Sequence, residues 1–231
     1  MPKNSLVSRV LEKAVEDFRY FLNRGYPRKP ALEWVGNRYG LLADQRQLLH
    51  RGVFSDADST FRLKRIVPIK SISGKDLAID GYNVLITVEA GLSRRPLVLG
   101  DDGFVRDISG LSGNFRRTAA TGEVLRLILD LLRRIKPRHT LFLFDSPISR
   151  SGKLAEEIRC RLREESIPGD GLAIKVPEQI LIGFSGIVAT SDTAIIDRSK
   201  QVVDLAGHLL KRKKSLESLV RWGKRGTLGE K

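Results

Sequence analysis

One cysteine, three histidines and one methionine stand in a chain of 231 residues, and aromatic side chains make up only 6% of it. No window approaches the roughly 18 consecutive apolar residues of a membrane span. Each scarcity excludes something. A lone Cys160 permits neither an intramolecular disulfide nor a thiolate zinc cluster. Its setting, Ile158-Arg159-Cys160-Arg161-Leu162, is helical, and packing is the role expected of it. A catalytic thiol needs a histidine partner, and His50, His139 and His208 are scattered along the chain. Met1-Pro2-Lys3-Asn4 leads directly into an amphipathic pattern, not the apolar centre of a secretion signal. The expected location is therefore cytoplasmic, with no membrane partner. Negative charge is also short. Lys and Arg total 41 against 27 Asp and Glu, a formal net charge of +14. Such a chain usually meets a polyanion, and nucleic acid is the expectation: RNA first, DNA second. Apolar residues at 41% suffice for a packed core.

Two regions differ in pattern. Leu6, Val7, Val10, Leu11, Ala14, Val15, Phe18, Phe21 and Leu22 recur at the helical period and predict a helix over residues 5–24, stopped by Gly25. A second helix is expected over 30–40, with Leu32, Val35 and Trp34 turned inward, and a third over 43–51. Residues 1–60 thus form a small all-α N-terminal module. Its last two helices have the outline of a helix-turn-helix, with Gln45, Arg46, Gln47, His50 and Arg51 available to a groove. An ordinary helical bundle explains the same spacing. Residues 55–62 are small and polar and read as a linker, and 62–72 as an extended stretch.

From about residue 75 to 215, short apolar runs alternate with helical patterns, which predicts an α/β domain: a mostly parallel sheet flanked by helices. Strands are expected over 77–80, 140–144, 172–176 and 187–190. A hairpin is expected around Gly100-Asp101-Asp102-Gly103, with helices over 121–136, 153–165 and 199–213. Residues 178–184 suit either helix or strand. Residues 216–231 read as a basic tail.

Three strands end alike: Ile79-Asp80, Phe144-Asp145 and Thr190-Ser191-Asp192 each close an apolar run with aspartate. In an open parallel sheet, ligands bind outside the carboxyl ends of strands. Neighbouring carboxylates repel unless a cation lies between them, and an all-oxygen set suits a hard ion, Mg²⁺ or Mn²⁺. Such sites perform phosphoryl chemistry. One strand-end Asp is unremarkable, because Asp caps helices; three in one domain is a pattern.

Ile79-Asp80-Gly81-Tyr82-Asn83-Val84-Leu85 resembles the opening motif of the NYN/PIN-like ribonuclease superfamily. Leu143-Phe144-Asp145 is similar to its central strand, and Val188-Ala189-Thr190-Ser191-Asp192 to its later Thr-Ser-Asp motif. The resemblance covers roughly residues 75–212. The whole chain also resembles uncharacterised prokaryotic proteins that join a short helical N-terminal domain to a PIN-like half. The likeness implies a metal-dependent nuclease, with Asp80, Asp145 and Asp192 as metal ligands and Asn83 orienting Asp80 or touching a phosphate or metal water. Asp197 would be a further ligand, or else a helix cap. Glu123 would be the acidic residue on the helix after the first strand, with Asp130 second, and a hairpin insertion over 89–111 leaves Glu89 and Asp107 open. Arg94, Arg95, Arg116 and Arg117 flank that insertion and are expected beside the acidic pocket as nucleic-acid-binding residues. A non-catalytic nucleic-acid-binding module or adaptor that kept the fold is the alternative. A phosphate loop at residues 146–153 fits poorly: Pro147 stands where its first glycine belongs, and Leu154 where its hydroxyl does.

Overall fold

The computed structural model describes residues 9–109, 115–146 and 148–222. The chain begins with four helices, α1 (Arg9–Asn23), α2 (Arg28–Arg38), α3 (Ala43–Gly52) and α4 (Asp56–Leu63). Helix α1 buries Leu11, Ala14, Val15 and Phe18, a stripe at three- and four-residue spacing. Gly25 ends this unit in the left-handed region, at φ +78°, where a side chain is disfavoured. Helix α4 replaces the expected linker. Ser55 accepts a hydrogen bond from the Asp58 amide at 3.0 Å, and Asp56 and Asp58 lie in the first turn. The small polar residues are a helix cap and a first turn favoured by the helix dipole. The expected extended stretch instead holds a 3₁₀ turn at Ile69–Ile72 and a single parallel bridge from Ile66 to Val202.

Next come β1 (Asp76–Asp80), α5 (Gly81–Leu92), β2 (Leu97–Leu99), β3 (Val105–Asp107), α6 (Ala119–Ile135), β4 (His139–Asp145) and α7 (Ser151–Glu164). They are followed by β5 (Gly169–Ile174), α8 (Pro177–Gly183), β6 (Ile187–Ala189), α9 (Thr193–Arg198), β7 (Val202–Val203), α10 (Leu205–Arg212) and β8 (Leu219–Arg221). Five strands form a sheet in the order β5-β4-β1-β6-β7, and every pairing in it is parallel. Leu77, Ala78 and Ile79 on β1 have no exposed surface, as expected for a central strand covered on both faces. From β1 the chain first builds outward to β4 and β5, then returns to add β6 and β7 on the other side. That reversal makes the carboxyl edge around β1 the topological switch point.

A second sheet has the order β3-β2-β8. Strands β2 and β3 form the expected hairpin, with Leu97 opposite Asp107, while β8 pairs in parallel with β2. The helical region is built onto this sheet, because Leu48, Leu49 and Val53 share one apolar core with Val98, Ile108 and Val220. The hairpin turn is an internal anchor. Arg19 grips Asp101 through Nε and Nη2 at 2.9–3.1 Å, and Asp102 has no exposed surface.

Further differences from the sequence reading have local causes. The last expected helix, 199–213, instead holds β7 and the shorter α10, since Ser199 turns extended and Asp204 caps a new helix on the Gly207 amide at 2.8 Å, and α9 precedes it as an element the sequence reading did not expect. Strand β5 starts earlier, where a Cβ at Gly169 would lie 2.4 Å from the Thr140 carbonyl oxygen. Residues 178–184 resolve as α8, and the start of the expected tail supplies β8. Cys160 and Trp34 are exposed, so neither packs as expected. Their helices present those positions outward, while Ile158, Leu162 and Val35 face in. Arg46 donates to the Leu41 carbonyl and to Asn37 Oδ1, so it closes the α2–α3 turn and is not free to meet a groove. The first residues of the expected first helix, residues 110–114, Pro147, and the chain after Trp222 lie outside the described residues.

Candidate acidic site at the carboxyl edge of the sheet

Strands β4, β1 and β6 lie side by side, and the three strand-end aspartates follow at one edge in the order Asp145, Asp80, Asp192. Asp80 is central. Thr190, the residue after β6, donates from Oγ1 to Asp80 Oδ2 at 2.8 Å, and the same Oγ1 accepts from the Asp192 amide at 3.1 Å. Asn83, in the first turn of α5, accepts from Ser191 through both its amide (2.8 Å) and its hydroxyl (2.9 Å). The Asp-Gly-x-Asn and Thr-Ser-Asp segments are thereby stitched together. Gly81 has a steric reason: a Cβ there would lie 2.2 Å from the ring of Phe144.

The electrostatics match the crowding. Burial, and then the charges of Asp192 and Asp145, push the Asp80 carboxyl up to about 7, against the pull of the Thr190 hydroxyl and the Asn83 backbone. Burial also raises Asp145, helped by the charge of Glu178 on α8. Tyr82, beside them, is pushed up to about 12 by burial and by Asp145. Asp192 is exposed and caps α9 through Oδ1, accepting from Ala194 at 2.8 Å and Ile195 at 3.2 Å.

Among the described residues, no three acidic, histidine or cysteine side chains form a group that could cage a metal ion. The aspartates lie on successive strands, which are about 4.8 Å apart, and Thr190 and α9 hold two of them. The donor chemistry nevertheless fits a hard divalent ion. Mg²⁺ keeps several waters and is commonly held by one or two carboxylates, so a hydrated ion at Asp80 needs only one of its neighbours.

A buried ionic chain supports this edge from beneath. Arg106, 2% exposed, donates to the Ser191 carbonyl at 2.8 Å and to both oxygens of Asp102 at 2.7 and 2.8 Å. Arg62 reaches Asp102 at 3.3 Å and holds Asp197 through two bonds of 2.6 and 2.8 Å. Asp197 is therefore engaged by α4. Arg51, on α3, faces Asp107 at 3.7 Å; burial lowers its pKa, while Asp107 and Asp192 pull it back up.

The structure gathers Asp80, Asn83, Asp145 and Asp192, and sets the other expected residues elsewhere. Glu123 is exposed on α6, with Lys213 at 3.9 Å. Asp130 pairs with Arg126 and Arg133 on the same helix. Glu89 is buried and accepts from the Thr118 and Thr121 hydroxyls, fixing the start of α6. Asp107 accepts from Ser109. Arg94 and Arg95 follow the C-terminus of α5, the opposite end from Asp80, roughly 18 Å away along a 12-residue helix. Arg116 and Arg117 do lie near the acidic edge, beside Tyr82. Sequence reasoning missed Glu178, although proline followed by an acidic residue is a helix-start signal. It also missed the Arg62–Asp102–Arg106 chain, because a hairpin turn rich in aspartate reads as solvent-facing.

Residues 69–208 match the family model described as a domain of unknown function (DUF5616), and residues 10–65 match a protein of unknown function (DUF434). An uncharacterised protein of Methanocaldococcus jannaschii is 35% identical over 197 residues, covering 84% of this chain and 94% of that protein. No solved structure matches the chain. Two adjoining regions, one helical and one built on a parallel sheet that carries the acidic edge, thus coincide with two recognised sequence families, and the chain belongs to the DUF5616 family.

Proposed function

We propose that this protein is a cytoplasmic, metal-dependent nuclease with a PIN/NYN-like α/β domain, and that it hydrolyses phosphodiester bonds of RNA. The observation that carries the reading is the placement of Asp145, Asp80 and Asp192 at the ends of three adjacent parallel strands, with the central carboxyl pushed up to about 7 by burial and by its neighbours' charge. Asp80, with Asp145 or Asp192, would hold Mg²⁺ or Mn²⁺, which when bound supplies an activated water and neutralises phosphate charge. The chain's own residues prepare the site. The Thr190 hydroxyl fixes one oxygen of Asp80, and Asn83 fixes the loop that carries Asp192. Arg116 supplies positive charge nearby, and the net charge of +14 suits a polyanionic substrate.

The test is incubation of the protein and its Asp80→Asn variant with labelled single-stranded RNA, in Mg²⁺ or Mn²⁺ and in chelator. Cleavage that needs the metal and is lost in the variant supports the reading. Salt-sensitive binding without cleavage supports the second reading, a nucleic-acid-binding adaptor. One observation favours that alternative: among the described residues no three metal-ligating side chains form a cage.

A further inference from the structure

Beside the acidic row, on its β4 side, lies a cavity of about 430 Å³ whose lining includes Tyr82, Phe115, Arg116, Ser149 and Arg150. Tyr82 follows Asp80 by two residues, and Ser149 and Arg150 follow Asp145 by four and five. The cavity therefore opens at the same sheet edge as the carboxylates, and Tyr82 feels the charge of Asp145. We propose that it seats one nucleotide of a single-stranded RNA next to the scissile phosphate, the base against Phe115 and a phosphate between Arg116 and Arg150. The proposal rests on the reading of the acidic row as a cleavage site.

The wall chemistry argues for a nucleotide. Phe115 is half-buried and lies on Tyr82 at 5.0 Å between ring centroids, and Tyr82 meets Phe144 edge-on at 5.1 Å. An aromatic column thus rises from the core to the cavity wall, a rigid platform for an unpaired base. Arg117 is taken up by Glu157 at 2.6 Å, whereas Arg116 and Arg150 are exposed and have no carboxylate partner among the described residues. Two unpaired guanidiniums beside an aromatic face and a serine hydroxyl suit a phosphate joined to a base. Arg150 also holds φ +65°, a backbone conformation that residues other than glycine rarely take. Row and cavity divide the labour: carboxylates where a cation would sit, guanidiniums where an anion would.

The experiment measures binding without cleavage. Full-length protein is titrated into a fluorescently labelled single-stranded RNA in chelator, over a series of salt concentrations. Arg116→Ala combined with Arg150→Gly should weaken binding by about 10-fold or more and reduce the slope of log affinity against log salt by roughly 0.7, one phosphate contact's worth for a single strand. Arg150→Gly suits the left-handed backbone at that position, and an unchanged melting temperature of the double variant excludes misfolding as the cause of a loss. Phe115→Ala should weaken binding by about 10-fold with the slope unchanged. Arg94→Ala with Lys214→Ala removes the same charge from a cavity at the far end of α5 and should cost less than about 3-fold. If the arginine pair and this distant pair behave alike, the proposal is overturned. Failure of the two readings can be told apart. Binding loss in the cavity variants, with no cleavage by the parent protein in metal, retains the nucleotide seat and rejects catalysis. Metal-dependent cleavage with cavity variants that bind and cleave as the parent does retains catalysis and rejects the seat.

Discussion

Thr190 donates its hydroxyl proton to Asp80 across a sequence separation of 110 residues, at 2.8 Å, and the same oxygen accepts the amide of Asp192. One side chain thus holds the Asp80 carboxylate and the backbone that carries Asp192. Thr190→Val keeps most of the volume and removes both bonds. A hydrogen bond to a charged group contributes about 1.5–3 kcal/mol, so the Asp80 carboxyl should rise further and the proposed cleavage should fall by about 10-fold or more at neutral pH. A pH–rate profile checks this: its acidic limb should move to higher pH in the variant, and an unmoved limb rejects the role.

The raised Asp80 carboxyl also bears on stability. An unfolded Asp titrates near 3.9, so the folded chain binds this proton more tightly than the unfolded chain does. Its contribution is therefore most favourable below about pH 4 and is lost as pH climbs towards 7. Asp204 is pushed up to about 6 by burial and shifts stability in the same direction, so the comparison must isolate Asp80. In chelator at pH 8, Asp80→Asn should be more stable than the parent by about 1–3 kcal/mol, and the difference should vanish near pH 4. Urea unfolding of both proteins at the two pH values measures it. Equal stability at both would show that the carboxyl is not held in a hostile environment.

Metal linkage separates a cation site from a merely crowded one. An ion that binds only the folded state raises stability by RT ln(1 + [L]/Kd). Mn²⁺ at about 100 times its Kd should raise the parent's stability by about 2.7 kcal/mol and leave Asp80→Asn unchanged. Thermal unfolding with increasing Mn²⁺ reads this directly. A rise of equal size in both proteins would place the ion elsewhere.

Asp102 is fully buried between Arg106 and Arg62. Asp102→Ala leaves two buried guanidiniums with one partner fewer, and breaking a buried pair costs about 3–5 kcal/mol. The variant should show a large drop in urea midpoint. Because Arg106 also holds the Ser191 carbonyl, the proposed metal-dependent cleavage should fall before global unfolding. A near-neutral result would mean that the hairpin turn relaxes into solvent.

Gly81 separates Asp80 from Tyr82 and faces the Phe144 ring. The backbone there does not demand glycine, and the constraint is space. Gly81→Ala should cost about 1–3 kcal/mol through overpacking, with a matching fall in melting temperature. Combining it with Phe144→Leu should recover part of that loss, and no recovery would place the strain in the backbone instead.

The α/β character of the C-terminal half was legible because it follows from short-range patterning. The run 77–79 is apolar throughout, as a doubly covered strand requires, and α6 and α1 show their apolar stripes. The candidate residues Asp80, Asn83, Asp145 and Asp192 were legible for the same reason, since strand ends are local features and a parallel sheet aligns them. By itself, then, the sequence determined the α/β character, the principal strands and helices, the net positive charge and the acidic strand ends, whereas α4, α5, α9, β7 and β8 emerge only in the folded chain. Tertiary structure decided which charges remain available. Asp197 and Asp102 look alike in sequence, yet one grips Arg62 in part exposed to solvent and the other is sealed between two arginines, because α4 packs on α9 and the hairpin turn folds inward. It also set Arg94 and Arg116 at opposite ends of α5, and joined Thr190 to Asp80. Those outcomes depend on contacts between distant segments, whose energies no local pattern records.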